Sequence, residues 1–471
     1  MLETLFAPPR VAPPMNLRRW EAGETTRLNK AHWAFAKGET INERLNLGLT
    51  EVRNRAEYEI ASNPIVEGII GTYCGDLIDK DGPSLQVQGD SKEYNERLED
   101  LWQEWWAMPD INGQLAGPDM LALWIEMLWS AGEYLALLTN EKGDGIQLRL
   151  QTIHPRRLET PFSQAGNPQI LMGVERNKAG KPLKYHITDE AQLGTLAIRS
   201  QGYAAEKIIH GFRIREAGQV RGAPWLAAVL QTIADLRDYD DQVLDAARLA
   251  ADWAGFLVQK EPEAVPPTIT TGSTFEIERR MLMSMPPGWG VEQMNPHQPS
   301  AQYIDYRHER LREMGRGVSM PLMMILLDSQ KHNYSSARFD GQLYQRGLKR
   351  VQGWLQRSTL NRLVDLVARE AGLKKDLPLA PQGARYIWTW PVAPHVDPVK
   401  EAMAEKIRLA NATLAPSDAL AAHGIDFESH VEKMAREGQE LANIGVALPW
   451  APPPPKNPAE PQGEKKNAKP E

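Results

Sequence analysis

From Pro224 to Phe256 apolar residues return at helical spacing, and no other stretch constrains the fold as much. At about 100° per residue, Val229, Ile233, Leu236, Val243, Ala247, Ala251 and Ala254 fall on one side. Asp238, Asp241, Asp245 and Asp252 fall within roughly 60° of one another on the other side. Such a helix buries one face and leaves an acidic stripe on the opposite one. Solvated helix faces normally mix signs, because like charges three or four residues apart destabilise. Asp238–Asp241 and Asp241–Asp245 are such like-charge neighbours. An ordinary solvated face is one reading. The other is a wall that meets something negative and must not hold it.

The net charge of −7 bears on that choice. Proteins that bind DNA by neutralising phosphates carry a basic excess, so a conventional DNA-binding module is not expected. A ring of acidic helices around a duplex would instead keep phosphates centred and moving. The chain's 471 residues exceed one hydrophobic core, so several structural regions are expected. No apolar run is long enough for a membrane helix. The opening MLETLFAPPRVAPP lacks a basic region followed by an apolar run, so no signal peptide is expected. The single cysteine, Cys74, rules out an internal disulfide and cysteine-based zinc sites. Trp102, Trp105, Trp106, Trp124 and Trp129 crowd one region and read as core or interface fillers.

The pattern of elements is α+β. Leu45 to Thr72 reads as helix with a restart at Asn63-Pro64, and Leu85-Gln86-Val87 as strand. Glu93 to Trp106 and Gly117 to Leu128 read as helices, Glu133 to Thr139 and Ile146 to Ile153 as strands, and Gly173 to Tyr185 as a hairpin. After the long helix, Pro262 to Pro299 reads as loop and strand, Tyr303 to Arg316 as helix, and Ser336 to about Glu370 as a second long helix capped by Ser335 or Ser336. Arg385 to Val392 reads as strand. Asp397 to Asn411 and Ser417 to Ala442 read as helices, with Ser417 as the N-cap of the last.

No catalytic constellation stands out. There is no G-x-x-x-x-G-K-[ST], and Pro182 after Gly180-Lys181 removes an N–H that a phosphate cradle would use. There is no G-x-S-x-G. Tyr306-Arg307-His308-Glu309 begins like a zinc-protease helix, but Arg312 stands where the second histidine would be. His423 and His430 share a helix face without a carboxylate at metal spacing. No metal, cofactor or enzymatic activity is expected. The readings to be separated are a DNA conduit, a helical scaffold or adaptor, and an enzyme using His210 or His332.

Two blocks of residues separate them. The first is Ile208-Ile209-His210-Gly211-Phe212 followed by Gln219-Val220-Arg221-Gly222-Ala223-Pro224. The second is Gly317-Val318-Ser319-Met320-Pro321 followed by Asn333-Tyr334-Ser335-Ser336-Ala337-Arg338. Together they resemble the lambda-type phage portal family, with weaker similarity over Arg53 to Val87, Gly173 to Tyr185 and Pro391 to Asp397, so that the resemblance spans roughly residues 45–445. The motif residues are Gln219, Arg221, Gly222, Pro224, Asn333, Tyr334, Ser335, Ser336 and Arg338. The step Ser130-Ala131-Gly132-Glu133 departs from the acidic-Gly-Glu expected there.

The resemblance implies a portal fold with an α/β wing, long stem helices, a small β-containing clip and a helical crown. It implies a homo-oligomeric ring, normally of twelve subunits, at one capsid vertex. Double-stranded DNA would pass through it, and its partners would be the terminase large subunit, the major capsid or scaffold protein and a head-tail connector. Carried onto this sequence, it makes residues 1–40 an N-terminal arm, 41–222 wing, 223–257 the first stem helix and 258–300 the clip. Residues 301–316 become the second stem helix, 317–335 the tunnel loop, 336–394 the wing's long helix and strand, 395–447 the crown and 448–471 a Pro- and charge-rich tail. The channel would be lined by Asp238, Asp241, Asp245 and Asp252 on the stem. In the tunnel loop Lys331, His332 and Asn333 would approach DNA, beside the adaptable apolar run from Met320 to Leu327.

Overall fold

The fold comes from a computed structural model. It describes residues 38–189, 200–251, 255–259, 289–293, 302–330, 333–381, 383–391, 398–423, 425 and 427–446, with residues 27, 30, 31 and 34. Contacts divide the chain into two units, 1–49 and 50–471. In the first, a capping box opens the first helix, α1 (Ile41–Ser62): Thr40 N–H donates to Glu43 Oε2 (2.7 Å) and Glu43 N–H to Thr40 Oγ1 (3.3 Å).

In the second unit, α1 ends at Asn63, whose side chain accepts from the Ile65 N–H (3.1 Å), and Pro64 opens α2 (Pro64–Ile78) as the sequence predicts. Next come β1 (Ser84–Gln88), α3 (Lys92–Trp106, capped by Ser91) and α4 (Gly117–Ser130). The tryptophans are the core: Trp102, Trp105, Trp106, Trp124 and Trp129 are all buried. Trp102 stacks on Trp106 at 4.9 Å, and Trp105 donates its indole N–H to Leu148 O (2.7 Å). Trp106 closes over the start of α4, where a side chain at Gly117 would lie 2.0 Å from its ring.

β2 (Glu133–Asn140) and β3 (Leu148–Ile153) follow, then the antiparallel four-stranded sheet β4 (Ile170–Leu171), β5 (Val174–Arg176), β6 (Pro182–Thr188) and β7 (Ser200–Ala204), and then β8 (Ile208–Phe212). β2 is central in the sheet β3-β2-β8, where Leu135 faces Ile153 on one side and His210 on the other. The expected hairpin is β5–β6: Asn177 accepts from Ala179 and Lys181 N–H, and Gly180 takes a positive φ of 84°.

The long helix is shorter than the periodicity predicts. A 3₁₀ turn, Trp225–Ala228, comes first, and α5 runs Leu230–Ala251. The Trp225 ring sits edge-on to Tyr73 (6.0 Å) and Trp129 (5.6 Å), which anchors the chain in the tighter turn. At the other end Gly255 and Phe256 belong to β9 (Gly255–Gln259), which pairs antiparallel with β10 (Trp289–Gln293). The rest of 260–301 lies outside the described residues.

The next helix, α6 (Tyr303–Val318), runs two residues further than expected and ends at Ser319 with φ 62°. The loop expected over 317–335 contains a short helix, α7 (Leu322–Leu326). Its apolar run packs inward, with Met320 and Ile325 buried in the main core. The second long helix is three segments: α8 (Tyr334–Leu355), a π-turn (Gln356–Leu360) and α9 (Asn361–Lys374). Asn333 caps α8 by accepting from the Ser336 N–H (2.8 Å), correcting the expectation for Ser335 or Ser336.

β11 (Arg385–Thr389) then returns to pair antiparallel with β1. The last helices are α10 (Pro398–Ala410), α11 (Pro416–Ala422) and α12 (Phe427–Asn443). The expected helix from Ser417 to Ala442 is therefore two. Ser417 lies inside the first turn of α11 rather than capping it, because Pro416 already holds the first helical position.

Candidate functional site

Two sets of side chains were expected to matter: the acidic face of α5 and the motif residues before it. On α5 the two faces separate as the periodicity predicts. Val229, Ile233, Leu236 and Val243 are buried, and Asp238, Asp241 and Asp245 are exposed. Asp235, at the side of the stripe, and Asp240, on the apolar side, turn toward α6. Asp240 accepts from Tyr303 Oη (2.9 Å) and pairs with Arg307 (3.2 Å), and Asp235 pairs with Arg310 (3.5 Å). On the other flank Arg237 reaches Glu59 of α1 (2.5 Å) and lies over the Tyr58 ring.

Arginines of α6 thus offset Asp235 and Asp240 and leave the outer stripe alone. Asp238 and Asp241 have no basic partner among the described residues, and Asp245 pairs only with Arg248 on its own helix (3.1 Å). Asp252, Lys331 and His332 lie outside the described residues. Tyr334, Ser335, Ser336 and Arg338 occupy the exposed first turns of α8, with Arg338 beside Glu401 (3.4 Å).

The first motif block converges on one residue, Glu133, whose side chain is fully buried at the start of β2. Arg221 donates Nε (2.7 Å) to its Oε1 and holds Nη2 2.6 Å from that oxygen as an ion pair, and Arg53 of α1 donates Nη2 to the same oxygen (2.8 Å). The Gly222 N–H (2.7 Å) and His210 Nε2 (3.0 Å) reach Oε2. Arg221 also donates to the carbonyls of Pro155, Leu158 and Met172, so one guanidinium ties β2 to the loops bordering the second sheet. Gln219 closes its own turn, accepting from the Arg215 N–H (2.7 Å) and donating to Arg221 O (2.7 Å).

The glycines are required by contact. A Cβ at Gly222 would lie 2.0 Å from Gly132 O, and one at Gly132 would lie 2.2 Å from Ala223 C on a backbone already at φ 86°. Gly211 gives way in the same manner to Tyr134, whose ring a Cβ there would meet at 2.0 Å.

Burial alone would raise the Glu133 carboxyl. The Arg221 and Arg53 guanidiniums and the His210 hydrogen bond overcome it and hold the carboxyl well below the usual range. His210 is pushed down, first by burial, against the pull of Glu133. Two arginines already exceed one carboxylate, so a neutral His210 suffices. Its Nε2–H faces Glu133, which leaves Nδ1 to accept from Tyr185 Oη (3.4 Å). His210 is therefore a buried member of a structural cluster, not a base beside a nucleophile. Composition and periodicity missed Arg53 and Glu133. The signal was present in Gly132-Glu133, which resembled a weakened motif step while its glutamate organises the whole block.

The sequence matches the family described as phage portal protein, lambda family, over residues 27–352. The chain belongs to that family. Forming the DNA channel of the virion is the role of this family, whose members are structural proteins. No curated protein matches this portal sequence. Among solved structures, a chain from the neck of an empty GTA particle is similar at 14% identity, covering 84% of this chain and 98% of that one, with a TM-score of 0.44. A chain from the virion of a native gene transfer agent particle is similar at 13%, covering 85% and 99%, with a TM-score of 0.41. An HK97 family phage portal protein from Corynebacterium diphtheriae is similar at 11%, covering 74% and 96%, with a TM-score of 0.33. The assignment of this portal chain rests on the family match.

Among the described residues no group of His, Cys, Asp or Glu could hold a metal, and no helix is long and apolar enough to cross a membrane.

Proposed function

We propose that this portal chain assembles as a ring of twelve at one capsid vertex, with α5 as the first stem helix and its Asp238, Asp241 and Asp245 face toward the lumen. Asp252, Lys331, His332 and Asn333 complete the DNA-facing set. The observation that carries the reading is the separation of charges on α5. Asp235 and Asp240, which turn toward α6, are matched by its arginines, whereas Asp238 and Asp241 stand exposed without a basic partner among the described residues. A wall of like charge repels phosphates at every azimuth, so a duplex stays centred and no counterion release arrests it. The chain does no chemistry in this reading. A separate terminase ATPase drives packaging, and the head-tail connector replaces it at the clip, 258–300. The second unit's α/β part forms the wing, α10 to α12 form the crown, and capsid or scaffold protein surrounds the ring.

Negative-stain images of the purified protein should show rings with a hole of about 20 Å or more, enough for a duplex and its grooves. Asp→Lys changes at 238, 241 and 245 should leave rings intact and impair packaging in a phage assembly assay. Normal packaging by such rings would place the stripe away from the lumen.

A further inference from the structure

On an otherwise acidic protein, one recess is lined by arginines and aromatic rings and by no carboxylate. It encloses about 420 Å³ between the segment after β8, the end of α6 and the face of α8. Arg213, Arg215, Arg350 and Arg357 all line it and are exposed. None of the four guanidiniums has an ion-pair partner among the described residues. Their proximity is felt electrostatically: Arg213 is pushed below its usual pKa, first by burial and then by Arg350 and Arg215. Arg346 lies within about 40° of Arg350 around α8, so the cationic edge extends along the helix.

The floor is aromatic. Trp225 and Trp354 are half-buried in the lining, and behind them Trp129 is 1% exposed. The indole N–H groups of Trp129 and Trp225 are buried and have no acceptor among the described residues. Unpaired buried donors are costly and uncommon in folded proteins. Arg357 lies across Gly353, where a Cβ would meet its Nη1 at 3.2 Å, and this keeps the guanidinium against α8.

We propose that this recess is a docking site for an acidic segment of another protein, one that carries carboxylates beside an apolar or aromatic anchor. Arginine forks match carboxylates two bonds at a time. Trp, Tyr and Arg in a concave pocket are the residues that dominate protein–protein binding energy. The anchor packs on Trp225 and Trp354 while carboxylates span Arg213, Arg215, Arg350 and Arg357. Duplex DNA is the poorer occupant. Its phosphates lie on a convex rod, which reaches a cationic ridge but not a recess whose wall includes a tryptophan 1% exposed. The proposal does not depend on the orientation of α5 in the ring.

The test is fluorescence anisotropy with the full-length protein and a fluorescein-labelled random Glu/Tyr copolymer, beside labelled poly-glutamate, a mixed-sequence duplex and oligo(dT). The copolymer should bind most tightly. Arg350→Glu with Arg357→Glu should weaken it by about tenfold or more, an effect of about 1.4 kcal/mol. Lys349→Glu, on the same helix but outside the recess, should change it by less than about twofold, because exposed charges off the site act only through screened fields. Tighter binding of duplex or oligo(dT), an equal loss in the Lys349 variant, or no copolymer binding overturns the proposal. Loss of the assembled state in the Arg350/Arg357 variant, read by mass photometry, would instead make the occupant a second copy of the chain.

Discussion

Replacing Arg221 with methionine tests whether the Glu133 cluster holds β2 to the loops bordering the second sheet. The substitution keeps most of the volume and removes the Arg221 hydrogen bond and ion pair to Glu133 Oε1 and three hydrogen bonds to carbonyls. Breaking a buried ion pair from one side costs about 3–5 kcal/mol. Glu133 keeps Arg53, His210 and the Gly222 N–H, which places the loss near about 3 kcal/mol. The carbonyls of Leu158 and Met172 each add about 1 kcal/mol when left without a donor, whereas Pro155 O keeps the Leu158 N–H (3.2 Å). The sum approaches the whole stability of an ordinary domain, about 5–15 kcal/mol. Glu133→Gln should cost a similar amount, because it leaves two guanidiniums facing a neutral amide. The double variant should lose about 2 kcal/mol less than the two single losses together, since each change removes the charge that the other strands. Urea unfolding followed by tryptophan emission reads all three, the indoles being the core of the same unit. Losses below about 1 kcal/mol, or strict additivity, would refute the claim that Glu133 organises the motif.

Stability should fall with acid in two stages. His210 is held neutral below the ordinary histidine value of 6.5, so the unfolded chain gains a proton first as pH drops through 6.5. Glu133 is held below 4.5, so the stability it contributes is intact above 4.5 and lost as pH falls further. His210→Gln should abolish the first stage and leave the second, as thermal melts across pH will show. Gly222→Ala and Gly132→Ala should give insoluble protein on expression, because backbone rather than a movable side chain blocks the new Cβ. Asn333→Ala should lower stability by about 1 kcal/mol through the lost cap on α8, read as an earlier urea midpoint. The charge reversal at Asp238, Asp241 and Asp245 should spare rings and impair packaging.

Much of this was legible in the sequence because it follows from local rules. The faces of α5, the Asn63-Pro64 restart, the β5–β6 hairpin and the buried tryptophans all come from spacing and turn chemistry. What stayed hidden depends on partners far along the chain. The 3₁₀ start at Trp225 is set by Tyr73 and Trp129. The π-turn before α9 carries Thr359, which meets Tyr134 Oη at 2.6 Å in the buried core. Glu133 sits in an unremarkable pentapeptide and gains its meaning from Arg53, His210 and Arg221. Likewise nothing in the spacing of Arg213, Arg215, Arg350 and Arg357 shows that they share one recess. The Gln219 to Pro224 motif is legible as a pattern, but its reason is a contact between two glycines and a shared carboxylate.

The pairing of β1 with β11 carries a consequence for biosynthesis. Ser84 to Gln88 waits for Arg385 to Thr389, and the Gln147 and Leu148 N–H groups wait for Glu370 (2.6 and 3.0 Å). The tryptophan layer made early in translation is thus covered only when nearly the whole chain has left the ribosome. Loop closures of that length are slow, and the exposed indoles invite association with other chains in the interval. A nascent portal subunit should therefore engage a chaperone until β11 emerges, and chains released before residue 385 should aggregate rather than assemble.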